Sequence, residues 1–228
     1  MFVSVIIPVM VAQSKQLPIR EPVISRELSE KSVDSFAQND QLGSLRVANG
    51  IIQRAEARAV SFDCTIFERT EISSSKLRKA SITDVIFRDC LLFGTDFDGS
   101  GWLRVRIEKG MHSGLVATDC LIRDVVFESA KLHLVNFRAS TLKKVVFSSC
   151  DLADADFQGA NLTDVKFEHC DLSRVEFSGT KFHNVDLRSS EISAIKGISS
   201  LRGATIGTAQ LIGMAASLAA ELGIYVKD

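Results

Sequence analysis

Residues 141–192 read TLKKVVFSSC DLADADFQGA NLTDVKFEHC DLSRVEFSGT KFHNVDLRSS EI, and every fifth residue of the stretch, from Leu142 and Phe147 to Leu187 and Ile192, is apolar. Carried backwards in the same phase, the column reaches Phe62 without a slip. It holds 27 positions, of which only His112 is not apolar, and it takes eleven of the fourteen Phe in the chain. With an apolar background of 46%, chance would produce such a column with a probability on the order of 10⁻⁸. An amphipathic helix repeats every 3.6 residues and a strand every two, so neither accounts for a period of five.

A second column stands two residues before the first and is small or β-branched: Thr65, Ala80, Cys90, Ser100, Val125, Ala130, Ser140, Cys150, Ala160, Cys170 and Thr180 belong to it. Val recurs in it every twenty residues at Val85, Val105, Val125, Val145, Val165 and Val185, beside Phe87, Ile107, Phe127, Phe147, Phe167 and Leu187. Four pentads therefore make one turn, and like residues stack on like. Residues two apart on an extended chain point the same way, so both columns face inward in an all-β solenoid of square section. Corners between pentads need positive φ, and Gly94, Gly99, Gly114, Gly159 and Gly179 all fall two places after a central residue. Coils stack about 4.8 Å apart, as neighbouring strands do.

The pentads AspLeuAlaAspAla (151–155), AspPheGlnGlyAla (156–160), AsnLeuThrAspVal (161–165) and AspLeuSerArgVal (171–175) resemble the A(D/N)LXX signature of pentapeptide repeat proteins. The resemblance covers residues 62–192 and implies a right-handed quadrilateral β-helix. Weaker pentads through Leu42, Val47, Ile52 and Ala57 extend it backwards. The expected organisation is an N-terminal cap or partly irregular segment over 1–41, the β-helix over 42–206 with clear repeats at 60–194, and a C-terminal helix and tail over 207–228.

Two departures predict local structure. Between Gly110 and Thr118 the inward columns carry Gly110, His112, Leu115 and Ala117, which predicts an irregular coil beside Trp102. From Thr208 the period changes, and Leu211, Met214, Ala215, Leu218 and Leu222 fall on one face of a helix. Thr208 is its expected N-cap and Gly223 its C′ residue. The helix is expected to cap the core. Its ending, LeuAlaAlaGluLeuGlyIle (218–224), resembles the helix through which quinolone-resistance (Qnr-like) pentapeptide proteins dimerise, which implies a homodimer interface on those five residues.

Little chemistry is visible. The five cysteines form no CxxC pair, which removes zinc-ribbon and thioredoxin readings. Cys150 and Cys170 fall on adjacent coils within reach of a disulfide, but their column reads better as interior filler. His133 and His183 fall at outward positions, His112 inward, and His169 and Cys170 on opposite sides of one wall. The glycines follow the pentads and make no phosphate cradle. No catalytic residue, cofactor or metal is expected, and the protein reads as no enzyme.

A balance of 27 basic against 28 acidic side chains argues against direct nucleic-acid or anionic-membrane binding, which need a basic excess. The apolar run Phe2–Ala12 is shorter than the roughly 20 residues of a membrane span and lacks a charged leader. It is expected as a terminal strand covering one end of the fold, in a cytoplasmic protein.

The outer surface remains. Leading the C-terminal pentads, Asp151, Asp156, Asp171, Glu176, Asp186 and Glu191 form a candidate partner-binding acidic surface. The resemblance to the Qnr-like branch implies a DNA mimic that binds gyrase or topoisomerase IV and protects against quinolone-type poisons. Lys131, Lys143, Lys144, Lys166 and Lys181 interrupt the acids, and residues 60–228 carry 20 basic against 22 acidic side chains, far from a phosphate-like charge. The first reading is therefore a non-catalytic protein-interaction scaffold with an unidentified protein partner, docking on flat walls with an apolar patch around Ile86, Leu91, Phe93 and Leu103. The topoisomerase-binding mimic is the alternative.

Overall fold

A computed structural model describes residues 18–227; the expected terminal strand over Phe2–Ala12 lies outside them. The chain winds into a parallel β-solenoid of about nine turns, closed by one helix. After the short β1 (Ser29–Glu30) come β2 (Gln41–Ala48), β3 (Ile51–Gln53), β4 (Ser61–Glu68), β5 (Glu71–Ser73), β6 (Ser81–Arg88) and β7 (Gly101–Glu108). They continue with β8 (Leu121–Glu128), β9 (Thr141–Ser148), β10 (Asn161–Glu168), β11 (Lys181–Asp186), β12 (Ala204–Thr205) and α1 (Thr208–Glu221). All but β3 and β5 join one ten-stranded parallel sheet, in the order β1-β2-β4-β6-β7-β8-β9-β10-β11-β12.

Register is set by the twenty-residue beat. Phe87 pairs with Ile107, Ile107 with Phe127, Phe127 with Phe147 and Phe147 with Phe167. Each eight-residue strand bends at a left-handed residue and so supplies two adjoining walls. Wall 1 is centred on the column from Phe62 to Phe182, wall 2 on the column from Phe67 to Leu187. Wall 3 begins with the short β3–β5 ladder, and beyond it walls 3 and 4 pair through single bridges, such as Leu91 with Met111 and Asp156 with Glu176.

The central column is buried throughout, from Leu42 to Ile192. On wall 2 the rings of Phe127, Phe147 and Phe167 stack face to face, 4.7 and 4.9 Å apart and within 9° of parallel, while Phe137 and Phe157 meet them edge-on from wall 4. Face stacks along the axis and edge contacts across it let large rings fill a narrow interior.

The small inward column has a second task that its spacing does not reveal. Thr70, Thr95, Ser140 and Thr180 donate their hydroxyls to the carbonyls of Val47, Ile72, Ala117 and Phe157, each 23 residues earlier. The thiols of Cys90, Cys120, Cys150 and Cys170 make the same contact with Phe67, Phe97, Phe127 and Phe147. All five cysteines are free thiols, so the Cys150–Cys170 disulfide is not formed. Burial pushes Cys90 up to about 11 and Cys120 to about 12, which leaves both without thiolate at neutral pH.

The expected glycine corners are left-handed, with φ of 60° at Gly94 and 70° at Gly179. Yet Asp, Asn, Ser, Lys and even Leu134, at φ 58°, adopt the same conformation. A side chain there costs about 1 kcal/mol. The corner N–H repays part of it by bonding the next coil, as from Leu134 to the Ala153 carbonyl at 3.1 Å.

The coil at 110–118 is not irregular. Met111 and Val116 keep their bridges to both neighbouring coils, because side-chain volume is exchanged within pentads. Gly110 makes room beside His112, and Leu115 takes the small place beside Ala117; His112, Leu115 and Ala117 are all buried. A Cβ at Gly110 would stand 2.1 Å from the Cys90 carbonyl oxygen. That close approach of backbones requires glycine.

Both ends are covered. Val33 and Phe36 close the first coil, with the Phe36 ring 5.2 Å from Phe62. At the other end α1 lays Met214 on the core, with Leu218 half-buried against it. The N-cap is Gly207 rather than Thr208. Gln210 does the capping: it accepts the Gly207 N–H at 2.7 Å and donates to the carbonyls of Leu187 and Ser190. Its reach ties the cap to the last coil, which a Thr hydroxyl is too short to do. Gly223, at φ 69°, is the C′ residue as expected.

Residues 18–25 run as a strap along the edge between walls 1 and 2, before the chain turns into β1 beside β2. Ser25 N–H meets Cys64 Sγ, Val23 N–H meets Asp84, and the Arg20 guanidinium grips Asp124 at 2.6 and 2.9 Å. Three residues thus cross two coils, about 3.2 Å each, the rise of an extended chain. Asp84 also takes both arms of Arg104 at 2.6 Å. Burial works against its charge, but Arg104 and the Val23 N–H hold its pKa below the usual carboxylate range. Removing the far anchor with Asp124→Ala should release the strap and speed amide exchange at Val23 and Ser25 at least tenfold, with β6–β10 unchanged; unchanged exchange in the strap would show that Arg20–Asp124 does not hold it.

Candidate functional site

The interior is filled, so any function is carried by the walls. In each pentad the residue before the central one and the two after it face outward. The six candidate carboxylates occupy three different walls. Asp151, Asp171 and Glu191 pair in register on wall 3, Asp156 and Glu176 pair on wall 4, and Asp186 pairs with Lys166 on wall 2. Sequence order suggested one surface; a quarter turn per pentad divides it.

All six share a structural role. Each carboxylate accepts the backbone N–H two residues on: Asp151 from Ala153 at 3.1 Å, Asp171 from Ser173 at 2.8 Å, Glu191 from Ser193 at 2.9 Å. Asp156, Glu176 and Asp186 do the same for Gln158, Ser178 and Arg188. This is the Asx-type turn that starts a corner. Cations accompany several of the acids. Arg138 reaches Asp156 at 3.2 Å, and Arg188 clamps Asp186 with Nη2 at 2.7 Å, holding that carboxyl below its usual range.

The four apolar residues expected as one patch are also divided. Ile86 lies on wall 2 and Leu103 on wall 1, both half-buried, while Leu91 and Phe93 share wall 3. Sequence reasoning missed their neighbours. Met111 bridges to Leu91 on the next coil, and Leu134 stands at a wall-3 corner one coil further. Leu91, Phe93, Met111 and Leu134 are 41–56% exposed. Four large apolar side chains exposed on three successive coils of one wall make an apolar patch of the kind that marks interaction surfaces. The missed signal is a period of twenty applied to outward positions: 91, 111, 131, 151, 171 and 191 are one axial line.

Wall 3 is therefore two-part. Along its outer line Ile51 and Glu71 come first, Leu91 and Met111 next, Lys131 follows, and Asp151, Asp171 and Glu191 complete it. Nearby, Arg174 is held by Asp154 at 2.7 and 2.9 Å, with that carboxyl drawn below its usual range, and His133 lies 3.9 Å from it.

The candidate dimer residues divide as well. Met214 and Leu218 turn onto the last coil, whereas Leu211, Ala215 and Leu222 face outward, beside Ile212 at 71% exposure. No cluster among the described residues could hold a metal, and none of their helices is long and apolar enough to cross a membrane.

Residues 120–196 match the family model described as "Pentapeptide repeat region". Solved structures with the same winding include full-length QnrB1, a plasmid-mediated fluoroquinolone resistance protein, at 17% identity over 86% of this chain and 100% of that one, TM-score 0.53. HetL, a pentapeptide repeat protein involved in heterocyst differentiation regulation in the cyanobacterium Nostoc, aligns at 14% identity over 74% of this chain and 90% of its own, TM-score 0.40. No curated protein matches the sequence.

Proposed function

We infer that this chain, a pentapeptide repeat protein, is a non-catalytic cytoplasmic scaffold that docks a protein partner on wall 3. The observation that carries the reading is the exposure of Leu91, Phe93, Met111 and Leu134 together on one flat wall. Nothing in the reading calls for a cofactor, a membrane or direct contact with nucleic acid. A photo-crosslinker at Ser113, between these side chains, should capture one protein reproducibly, while the same group at Arg138 on wall 4 should not. Equal capture from both walls, or none from Ser113, would contradict the assignment.

The alternative is a gyrase- or topoisomerase IV-binding DNA mimic. It draws support from the ladder of Asp151, Asp171 and Glu191, whose even spacing along the axis is phosphate-like. Against it, the six acids point in three directions, and two of them, Asp156 and Asp186, are paired with arginine. The scaffold reading expects gyrase supercoiling, with or without a quinolone, to be unaffected by equimolar protein. Protection of supercoiling would favour the mimic.

The exposed face of α1 supports a homodimer. Leu211→Asp with Leu222→Asp should convert a dimer to a folded monomer in light scattering, because neither residue serves the cap. Met214→Asp should instead unfold the last coil. A wild-type chain that runs as a monomer at tens of micromolar would reject the dimer.

A further inference from the structure

The strap shows what chemistry the outside of this rod accepts. An extended segment lies along the axis, places Ile19, Pro22 and Ile24 half-buried, and anchors one end with an arginine on a coil carboxylate, Arg20 on Asp124. Wall 3 presents the complementary half of the same arrangement, and among the described residues no segment is hydrogen-bonded across its outer face. Beyond Ile51 and Glu71 on its first coils, apolar side chains stand on its middle coils and three stacked carboxylates on its last ones.

We propose that wall 3 binds an extended segment of a partner protein that carries alternating apolar residues at one end and arginine or lysine at the other. The proposal rests on the scaffold reading and names the partner's chemistry. From Leu91 to Glu191 is five coil steps, about 24 Å at strand spacing, which an extended chain covers in about eight residues. Along such a chain alternate side chains face the wall, so its apolar residues meet Leu91, Phe93 and Met111 and its basic residues meet Asp151, Asp171 and Glu191. Lys131, between the two groups, marks where the basic stretch must end, because a cation opposite it would be repelled.

Stacked like charges on adjacent strands are unfavourable by some tenths of a kcal/mol each. The turn bonds to Ala153, Ser173 and Ser193 use one oxygen of each carboxylate, and an amide could accept them equally well. The fold needs an acceptor at these places but not three negative charges in line. A basic ligand uses the charges; the turns do not.

The test uses the full-length protein and a fluorescein-labelled ten-residue peptide with three arginines at one end and three isoleucines at alternate positions at the other. A second peptide has glutamates for the arginines. Fluorescence anisotropy should show saturable binding of the basic peptide, at least tenfold weaker with the acidic one. Asp151→Asn, Asp171→Asn and Glu191→Gln together should weaken it at least tenfold and flatten its salt dependence while leaving the melting temperature in place. Phe93→Ser with Leu91→Ser should weaken it similarly, and Asp156→Asn with Glu176→Gln on wall 4 should not. Absence of binding, equal binding of the two peptides, or insensitivity to the wall-3 variants would overturn the proposal. If any of these coincided with specific crosslinking from Ser113, the partner would be a folded surface and the scaffold reading would stand; failure of both would remove both.

Discussion

Truncating one ring in the middle of the column, Phe147→Ala, should lower stability by about 3–5 kcal/mol and the melting temperature by roughly 10 °C for a chain of this size. Phe147 is fully buried, with Phe127 and Phe167 stacked on its two faces and Phe137 and Phe157 against its edges. Because each coil touches mainly its neighbours, the void cannot be filled by distant adjustment. The control is Phe93→Ala, the same chemical change on the outside, which should stay within about 0.5 kcal/mol. Comparable losses for the two variants in thermal melts would mean that the rings do not share an interior.

The second large effect depends on pH. Burial holds the His112 imidazole down to about 4, with its Nε2 2.9 Å from the Lys109 carbonyl and its Nδ1 without a partner among the described residues. An unfolded histidine titrates near 6.5. Between those values the unfolded chain binds the proton and the folded chain does not, so stability falls as pH drops through that window. The loss grows from about pH 6.5 and reaches about 3 kcal/mol by pH 4, at roughly 1.4 kcal/mol per pKa unit. His112→Leu restores the residue type of its neighbours Leu92 and Leu132. It should remove this part of the pH slope and also stabilise the protein at pH 7 by about 1 kcal/mol, since an unsatisfied buried nitrogen disappears. Denaturant melts at pH 7 and pH 4.5 measure both. A slope that the leucine variant retains would place the titration elsewhere, on carboxylates such as Asp84.

How much of this was legible depends on which periodicity a feature follows. The interior was legible because Phe127, Phe147 and Phe167 announce it by type as well as by spacing. Gly223 ended the helix where its conformation demanded. The regularity at 110–118 was not legible, because exchange of volume between Leu115 and Ala117 looks like disorder when positions are read one column at a time. Gln210 was passed over as a cap for a related reason: its partners Leu187 and Ser190 are distant in sequence. The walls were least legible of all. Asp151 and Asp156 are five apart in the chain but a corner apart in space, whereas Leu91 and Met111 are twenty apart and adjacent. The chemical alphabet of outward positions is loose, so only the three-dimensional register brings Phe93, Met111 and Leu134 together. The strap followed no repeat, and its anchors Asp84 and Asp124 look like any other corner residues.

The winding itself can be measured as a distance. Gln53 and Ser193 both lie one place after a wall-3 central residue, 140 positions apart in the chain. With spin labels at Gln53→Cys and Ser193→Cys in a Cys64→Ser background, double electron–electron resonance should give one narrow peak near 34 Å, seven coil steps of about 4.8 Å. A broad distribution, or a peak displaced by more than about two coil steps, would contradict a column in which every fifth side chain meets one axis.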